Sequence, residues 1–212
     1  MAESPRDAFD NLSHFCLTAR HYNLPNDDNV EWDDFGGWRE AASATIPKGS
    51  VARWVWMYEH SGVVIRTSPL EFGDDHKLSN PFHDPWDSGI IGFAYITPEE
   101  IAENWPTTTS HSEAWSPQEM ALTAIDADVE TYSQYLNGEV YGMIVEERTH
   151  CDHDCDHWDE AEDSCFGFYG FDSVMEEAKS YLAHLTPRPQ PQPQPQTAVA
   201  STSAVSTETQ ES

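Results

Sequence analysis

Alternating hydrophobic and polar positions predict a sheet in the middle of the chain. Three β-rich runs, Val51–Tyr58, Gly62–Thr67 and Gly89–Thr97, are separated by polar stretches that contain turn-forming residues. The first and third runs carry apolar side chains on both faces, which is typical of a strand that is covered on both sides. We therefore expect these runs to form the centre of a mostly antiparallel sheet.

Helical periodicity follows the strands. Thr97 with Glu100 and Ser116 with Glu119 form capping-box patterns that predict the starts of two helices. Asn137-Gly138 supplies a left-handed stop for the second of them, directly after the apolar position Leu136. A later helix is expected to begin at Ser173, with Glu176 completing its capping box. In the helix that is expected to begin after Ser116, apolar positions recur at three and four residues: Leu122, Ile125, Val129, Tyr132 and Leu136.

The order of these patterns predicts an α+β fold, with several short helices packed against one face of a mostly antiparallel sheet. We expect one globular domain over residues 1–186, in which His150–Ser164 forms a charged loop. From Pro187 the chain reads PRPQPQPQPQ and then becomes rich in Ser, Thr and Ala. Such a composition cannot bury a core, so residues 187–212 are expected to be a disordered tail.

Charge narrows the classes of partner. The chain has 38 Asp and Glu against 10 Lys and Arg, a net charge of −28 with neutral histidines. Such a surface repels nucleic acid, so we expect no direct binding to DNA or RNA and a preference for basic protein partners. Its carboxylates could imitate phosphates in the cleft of a nucleic-acid enzyme. The alternative is that the charge serves only solubility, or adaptation to a salt-rich cytoplasm.

The chain shows no sign of export or membrane insertion. Met1–Asp10 is acidic and lacks an apolar segment, and no apolar run approaches the roughly 18 residues of a membrane helix. We expect a cytoplasmic protein that is neither secreted nor bound to a membrane. Its four cysteines are then expected to be reduced thiols.

A segment rich in His and Cys is the candidate metal site. His150–Cys165 contains three histidines and three cysteines, and Zn²⁺ prefers four such ligands in a tetrahedron. The ligand set that we expect is Cys151, Cys155, His157 and Cys165. The alternative is a solvated acidic loop in which these residues are incidental, and no other cofactor is expected.

The candidate catalytic residues lie far apart in the sequence. A Cys165 thiol with His60 as its base and Asp87 orienting the histidine would form a nucleophilic constellation. His60 and Asp87 also stand in Ser- and Gly-containing turns, where turn formation alone accounts for them. Acidic neighbours disfavour a Cys165 thiolate, so a buried and unreactive cysteine is the alternative. The chain has no phosphate-binding glycine loop and no nucleophile elbow.

Several short blocks of the sequence carry a family resemblance: Ser4-Pro5-Arg6, Asp10-Asn11-Leu12, Arg20–Leu24, Tyr58–Gly62, Pro85–Gly89, Glu130–Leu136 and Asp163–Gly170. Together they resemble a large uncharacterised family whose members occur in bacteriophages, prophages and other mobile elements. The similarity spans roughly residues 4–182 and implies a phage or mobile-element origin, without a mechanism. Phe166 stands where we expect a tryptophan, and the segment before Asp163 is richer in His and Cys than the family pattern.

Two classes of function remain open. The first is an acidic accessory protein of a phage that binds a host or viral protein, with segments such as Glu146–Glu177, which holds twelve acids and one arginine, as its contact surface. The second is a small thiol-dependent enzyme that uses Cys165, His60 and Asp87. A zinc-stabilised interaction protein is a variant of the first class.

Overall fold

The computed structural model describes residues 3–70, 79–106, 115–151, 153 and 155–185. Within these residues the chain forms an α+β fold with an antiparallel sheet, which confirms the predicted fold class. The expected tail over residues 187–212 lies outside the described residues. No helix in the described ranges combines the length and the apolar character that crossing a membrane requires.

Helices and strands alternate irregularly along the chain, and three of the described α-helices lie between the first strand and the last strand. The helices are α1 (Pro5–Ala8), α2 (Trp38–Thr45), α3 (Pro98–Asn104), α4 (Pro117–Leu136) and α5 (Phe171–His184), with a 3-10 turn at Trp32–Asp34. The strands are β1 (His14–Leu17), β2 (Val51–Glu59), β3 (Val63–Pro69), β4 (Ser88–Ile96), β5 (Val140–Met143), β6 (Glu146–His150), β7 (Asp156–Glu160) and β8 (Cys165–Tyr169).

A four-stranded sheet in the order β1-β4-β2-β3 carries the core, and every neighbouring pair in it is antiparallel. One face buries Val55 and Met57 against α4. The other face buries Trp54 against Ala41 and Ala42 of α2. The expectation that the helices lie on one face is therefore wrong. Because β2 is apolar on both faces, each face requires a cover, and α2 and the segment around Trp32–Asp34 supply the second one.

Gly92 allows β1 to approach β4 closely. The register between β2 and β4 shifts at Val55 and Trp56, where β4 carries one extra residue. Gly92 has a φ of 147°, and a Cβ atom built there would lie 2.0 Å from the carbonyl oxygen of Cys16. Only glycine fits this position, because any side chain would collide with the β1 backbone.

The two predicted capping boxes before α3 and α4 are present. Ser116 accepts a hydrogen bond from the Glu119 N–H, while the Glu119 carboxylate accepts one from the Ser116 N–H. Gly138 follows α4 with a φ of 76°, as its predicted stop requires. The buried face of α4 is Ala121, Ile125, Val129, Tyr132 and Ser133. Two of the predicted apolar positions, Leu122 and Leu136, are thus only half-buried.

The predicted start of the last helix is wrong. α5 begins at Phe171, and Ser173 lies inside its first turn without capping it. Gly170 precedes the helix with a φ of 81°, a backbone conformation that lets the chain turn directly from β8 into α5. Only Val174 of the apolar face of α5 is buried, and Leu182 is 65% exposed.

Residues after α4 form two small sheets, β5 with β8 and β6 with β7. The expectation of a charged loop over His150–Ser164 is wrong in part, because the antiparallel pair β6–β7 forms a hairpin that extends into this segment. The sequence pattern missed it because the hairpin strands are polar on both faces and nine of their ten residues are exposed. The aromatic residues Phe166, Phe168 and Tyr169 lie in strand β8.

Candidate functional site

A cleft of about 470 Å³ lies between strand β3 and helix α4. Strand β3 is at the edge of the central sheet, and α4 runs beside it because Ile125, Val129 and Tyr132 pack on the sheet. The strand and the flank of α4 therefore form the two walls. The lining residues are Val64, Ile65, Arg66 and Thr67 of β3, Asp126, Val129, Glu130, Ser133, Gln134 and Asn137 of α4 and its cap, and Glu139.

The backbone of β3 presents hydrogen-bonding groups to this cleft. The Ile65 N–H donates to the hydroxyl of Ser133 at 2.9 Å and so points away from β2. Backbone direction alternates along a strand, so the N–H and carbonyl of Thr67 point the same way. In the part of the chain that the structure describes, the Ile65 carbonyl and the Thr67 N–H have no hydrogen-bond partner. Pro69, which has no N–H, follows at the same outward position.

The helix wall of the cleft is acidic. Asp126 is neutralised, since Arg53 donates two hydrogen bonds of 3.0 Å to its carboxylate. The Thr67 hydroxyl donates a third, at 2.6 Å. Glu130 and Glu139 have no cationic partner within the described ranges. The cleft therefore combines unpaired backbone groups on β3 with two uncompensated carboxylates, Glu130 on α4 and Glu139 just beyond its cap.

His60 and Asp87, two of the predicted catalytic residues, do come together. The His60 Nδ1 lies 3.1 Å from an Asp87 carboxylate oxygen, at the end of the β2–β3 hairpin. Both side chains are open to solvent, with 66% and 39% of their surface exposed. The nearby Asp84 accepts hydrogen bonds from the N–H groups of Trp86 and Asp87, and these bonds lower the pKa of its carboxyl. This arrangement fits the turn interpretation of the segment.

Cys165 does not join that pair. It is the first residue of β8, in a separate small sheet, where it lies opposite Met143 of β5. The thiol is free and half-buried, and no hydrogen bond reaches its side chain in the described residues. The predicted trio of Cys165, His60 and Asp87 is thus split between two sheets.

The His/Cys segment forms part of the predicted metal site. The ligand atoms of Cys151, Cys155 and His157 all lie within 4.8 Å of one another, so this group could hold a metal ion. Cys165, the fourth expected ligand, is not in the group. Cys151 and Cys155 are joined by a disulfide in the structure, so the expectation that all four cysteines are reduced is wrong for this pair. The pair lies at the tip of the β6–β7 hairpin, where the N–H of Cys151 donates to the carbonyl of Cys155 at 2.9 Å.

A polar network at the β1–β4 pair escaped the sequence pattern. His14 lies 2.9 Å from a Glu100 oxygen and stacks on the ring of Tyr95, with 4.8 Å between the centroids. Tyr95 and Cys16 both donate a hydrogen bond to Asp28. Burial raises the pKa of both side chains, and the hydrogen bonds to Asp28 raise it further. The Cys16 side chain therefore stays a neutral thiol, and the network holds the long N-terminal segment against the sheet.

No short-range pattern could have found this network, because its members are far apart in the sequence and only strand pairing brings His14 opposite Tyr95.

Comparison of the chain with protein-family models, with curated proteins and with solved structures finds no match. The resemblance to a phage and mobile-element family therefore stays a prediction.

Proposed function

We propose that this protein binds an extended, basic segment of another protein in the cleft between β3 and α4. The segment adds a strand to the free edge of β3 and places its side chains against the acidic flank of α4. The observation that carries this proposal is that, among the described residues, the outward-facing carbonyl of Ile65 and N–H of Thr67 have no hydrogen-bond partner.

Strand addition uses what this edge offers. An exposed edge strand is a template for another chain, and a groove between an edge strand and a helix selects the partner by pockets for alternate side chains. Pro69 ends the row of donors, and the Ser133 hydroxyl already occupies one donor, at Ile65. The usable edge is therefore short, and it favours a brief peptide segment over indefinite sheet growth.

Charge selects the sign of the partner. Glu130 and Glu139 line the cleft, and the whole chain carries a net charge of −28. Such a field attracts basic segments, raises their rate of encounter and opposes the pairing of two copies of this chain through the same edge. It also opposes nucleic acid, whose binding depends on phosphate neutralisation.

The family resemblance gives the biological setting of the proposal, an accessory protein of a phage or mobile element that acts on a host or viral protein. A basic nucleic-acid enzyme is the partner class that the charge favours most, since carboxylates can occupy positions meant for phosphates. The acidic segment Glu146–Glu177 contributes charge through exposed residues of the β6–β7 hairpin. The cleft is the more specific surface, because it adds backbone pairing to charge.

The thiol-dependent enzyme receives less support. Its nucleophile, Cys165, lies in a different sheet from His60 and Asp87, and the remaining pair is exposed to solvent. Catalytic pairs need a position that excludes water and orients a substrate, and this turn offers neither. The zinc-stabilised interaction protein remains compatible with the proposal, since an ion at the hairpin tip, Zn²⁺ by ligand type, would be structural.

The proposal is tested with peptides of defined charge and shape. Fluorescein-labelled nonapeptides of alternating Lys and Val are titrated with the full-length protein, beside a version with a central proline and a version with Glu in place of Lys. We expect binding of the Lys–Val peptide only, because proline removes a pairing N–H and Glu reverses the charge. Equal binding of the proline version would refute strand addition, and equal binding of the Glu version would refute charge selection.

A matched pair of variants locates the contact. Glu130→Lys with Glu139→Lys reverses two charges in the cleft, whereas Glu99→Lys with Glu103→Lys makes the same net change on α3. We expect the cleft variant to weaken peptide binding by about tenfold more than the α3 variant, the effect of about 1.4 kcal/mol of local interaction. Equal losses in the two variants would show that net charge alone drives the association.

The phosphate-mimic form of the proposal has a separate test. The acidic residues of Glu146–Glu177 are replaced by Asn and Gln, and the protein is assayed for protection of a basic host enzyme from binding DNA. If the neutralised protein competes with DNA as well as the original does, the acidic segment is not the mimic. The cleft proposal is unaffected by that result.

A further inference from the structure

The pairing of β6 with β7 places three metal-ligand side chains on one face of the hairpin. Thr149 lies opposite His157, and Cys151 and Cys155 follow two positions further toward the tip, facing each other. Side chains two residues apart share a face of a strand, so Cys155 and His157 project to the same side. The Cα atoms of Cys151 and Cys155 are 5.5 Å apart. The side chains of Arg148 and Asp156 pair with each other on the opposite face.

The spacing of the ligand atoms suits one ion. The two sulfur atoms and the nearest ring nitrogen lie within 4.8 Å of one another. Bonds of about 2.3 Å to sulfur and about 2.0 Å to nitrogen, typical of Zn²⁺, bring such atoms to similar separations around one centre. Cys155 and His157 are exposed and Cys151 is half-buried, so an ion has direct access to the group from solvent.

A neighbouring carboxylate orients the histidine. The Nε2 atom of His157 lies 3.1 Å from an Asp159 oxygen, and the same oxygen accepts a hydrogen bond of 2.6 Å from the Thr149 hydroxyl. Metal-binding histidines characteristically donate their second ring N–H to a carboxylate, which fixes the tautomer and leaves the other nitrogen for the metal. This arrangement is independent of the cysteines and points to Nδ1 of His157 as the ligand atom.

We propose that the tip of the β6–β7 hairpin is a Zn²⁺ site that exchanges with the Cys151–Cys155 disulfide. In the reduced protein the two thiolates and His157 bind the ion, and water completes its coordination. Two thiolates and an imidazole favour Zn²⁺ over the hard ions Mg²⁺ and Ca²⁺. Disulfide and metal exclude each other, because the same two sulfur atoms serve both.

A cellular dithiol can supply the electrons and protons that reduction of the disulfide requires. A dithiol reductant supplies two electrons and two protons, becomes a disulfide itself and leaves Cys151 and Cys155 as two thiols. Zn²⁺ then displaces one proton from each thiol and binds the two thiolates. Oxidation by a disulfide reverses the sequence: the new sulfur–sulfur bond forms and the ion is released.

Either cross-link, the disulfide or the bound Zn²⁺, would join the two strands at the tip of the hairpin. Both faces of β6–β7 are largely exposed, and the hydrogen bond of 2.8 Å from the Ala161 N–H to the Val145 carbonyl closes the base of the hairpin itself. A two-stranded hairpin without a covered face is marginally stable in water. A cross-link at the tip therefore decides whether this acidic hairpin stays ordered, and zinc supplies that link where the disulfide is reduced.

The test uses the full-length protein with Co²⁺ as a spectroscopic probe. The protein is reduced, freed of reductant under argon and titrated with Co²⁺, then with Zn²⁺. We expect thiolate-to-cobalt charge-transfer absorption at one Co²⁺ per chain, its loss when Zn²⁺ displaces the probe, and no such absorption from the oxidised protein. A reduced protein without this absorption would overturn the proposal.

Single substitutions assign the ligands. We expect Cys155→Ser and His157→Ala to abolish the one-to-one site, and Asp159→Ala to weaken it about 10- to 100-fold, as the loss of an orienting carboxylate does. Cys165→Ser is the matched control, a free cysteine outside the group, and is expected to leave the absorption unchanged. Loss of the signal in Cys165→Ser, or its retention in His157→Ala, would overturn the assignment.

Amide hydrogen exchange tests the consequence for the hairpin. We expect the amides of β6 and β7 to exchange quickly in the reduced, metal-free protein and to regain protection when Zn²⁺ is added or the disulfide forms. Equal protection in all three states would show that the tip does not fasten the hairpin, even if a metal binds there.

Discussion

The hydroxyl group of Ser133 joins helix α4 to the edge strand β3. It accepts the hydrogen bond of the Ile65 N–H at 2.9 Å, and both residues are buried. Replacing Ser133 by Ala keeps the size of the side chain almost unchanged but removes the acceptor. The buried N–H of Ile65 is then left without a partner.

The expected cost follows from that unpaired donor. A buried N–H that loses its partner destabilises a protein by about 1–3 kcal/mol. That is a large share of a total stability of about 5–15 kcal/mol, and in a domain of this size each kcal/mol lowers Tm by about 2–4 °C. We expect Ser133→Ala to lower the urea midpoint, measured by far-ultraviolet circular dichroism, without changing the slope of the transition.

Ser173→Ala is the matched control. Ser173 is an exposed residue within the first turn of α5 and makes no hydrogen bond through its side chain in the described part of the chain. We expect a change within about 0.5 kcal/mol, whereas a helix cap at Ser173 would cost about 1 kcal/mol. If Ser133→Ala destabilises the protein no more than Ser173→Ala does, the hydrogen bond to β3 is not what joins α4 to the edge strand.

Three further predictions concern the central sheet and the cap of helix α3 beside it. Gly92→Ala is expected to destabilise the protein by more than about 2 kcal/mol, since a Cβ atom would lie 2.0 Å from the Cys16 carbonyl; an unchanged thermal midpoint would contradict the close approach. Ser68→Ala removes the partner of the buried Trp56 indole N–H, so we expect a loss of about 1–3 kcal/mol in urea unfolding. The third prediction concerns the pKa of the Glu100 carboxyl. Burial raises this pKa, but the hydrogen bonds at the α3 cap outweigh burial and hold it below its usual value of 4.5. Its contribution to stability is therefore complete above pH 4.5 and is lost as the pH falls through the lower folded-state pKa, so Glu100→Gln should flatten this part of an acid-unfolding curve, and an unaltered curve would refute the assignment.

Local patterns predicted the elements whose signals lie within a few residues. The capping boxes at Ser116 and Thr97 predicted the starts of α4 and α3, because a cap and its partner are three residues apart. The same pattern at Ser173 predicted the wrong start for α5. There Gly170 changes the backbone direction earlier and starts α5 at Phe171, so a correct local signal was overridden by the geometry of the preceding turn.

The candidate sites were predictable only in part, for the same reason. Residues close in sequence, Cys151, Cys155 and His157, were recognised as a group from their spacing and do lie together. Cys165 was assigned to two sites and belongs to neither group, because its strand pairs with β5 in a separate sheet. The cleft wall formed by Glu130 and Ser133 gave no signal, since these residues look like the ordinary polar face of a helix.

The sequence by itself determined the α+β class, the three central strands, the helix over Pro117–Leu136 and the strongly acidic net charge of −28. Each of these depends on local periodicity or on composition, which are complete in the chain before it folds. Only the tertiary structure decided that both faces of the sheet are covered, that β3 is an edge and that α4 lies beside it. Those facts depend on strand order and register, which arise from contacts between residues far apart in the sequence. The free edge beside an acidic helix is such a product, and it is where we place the function.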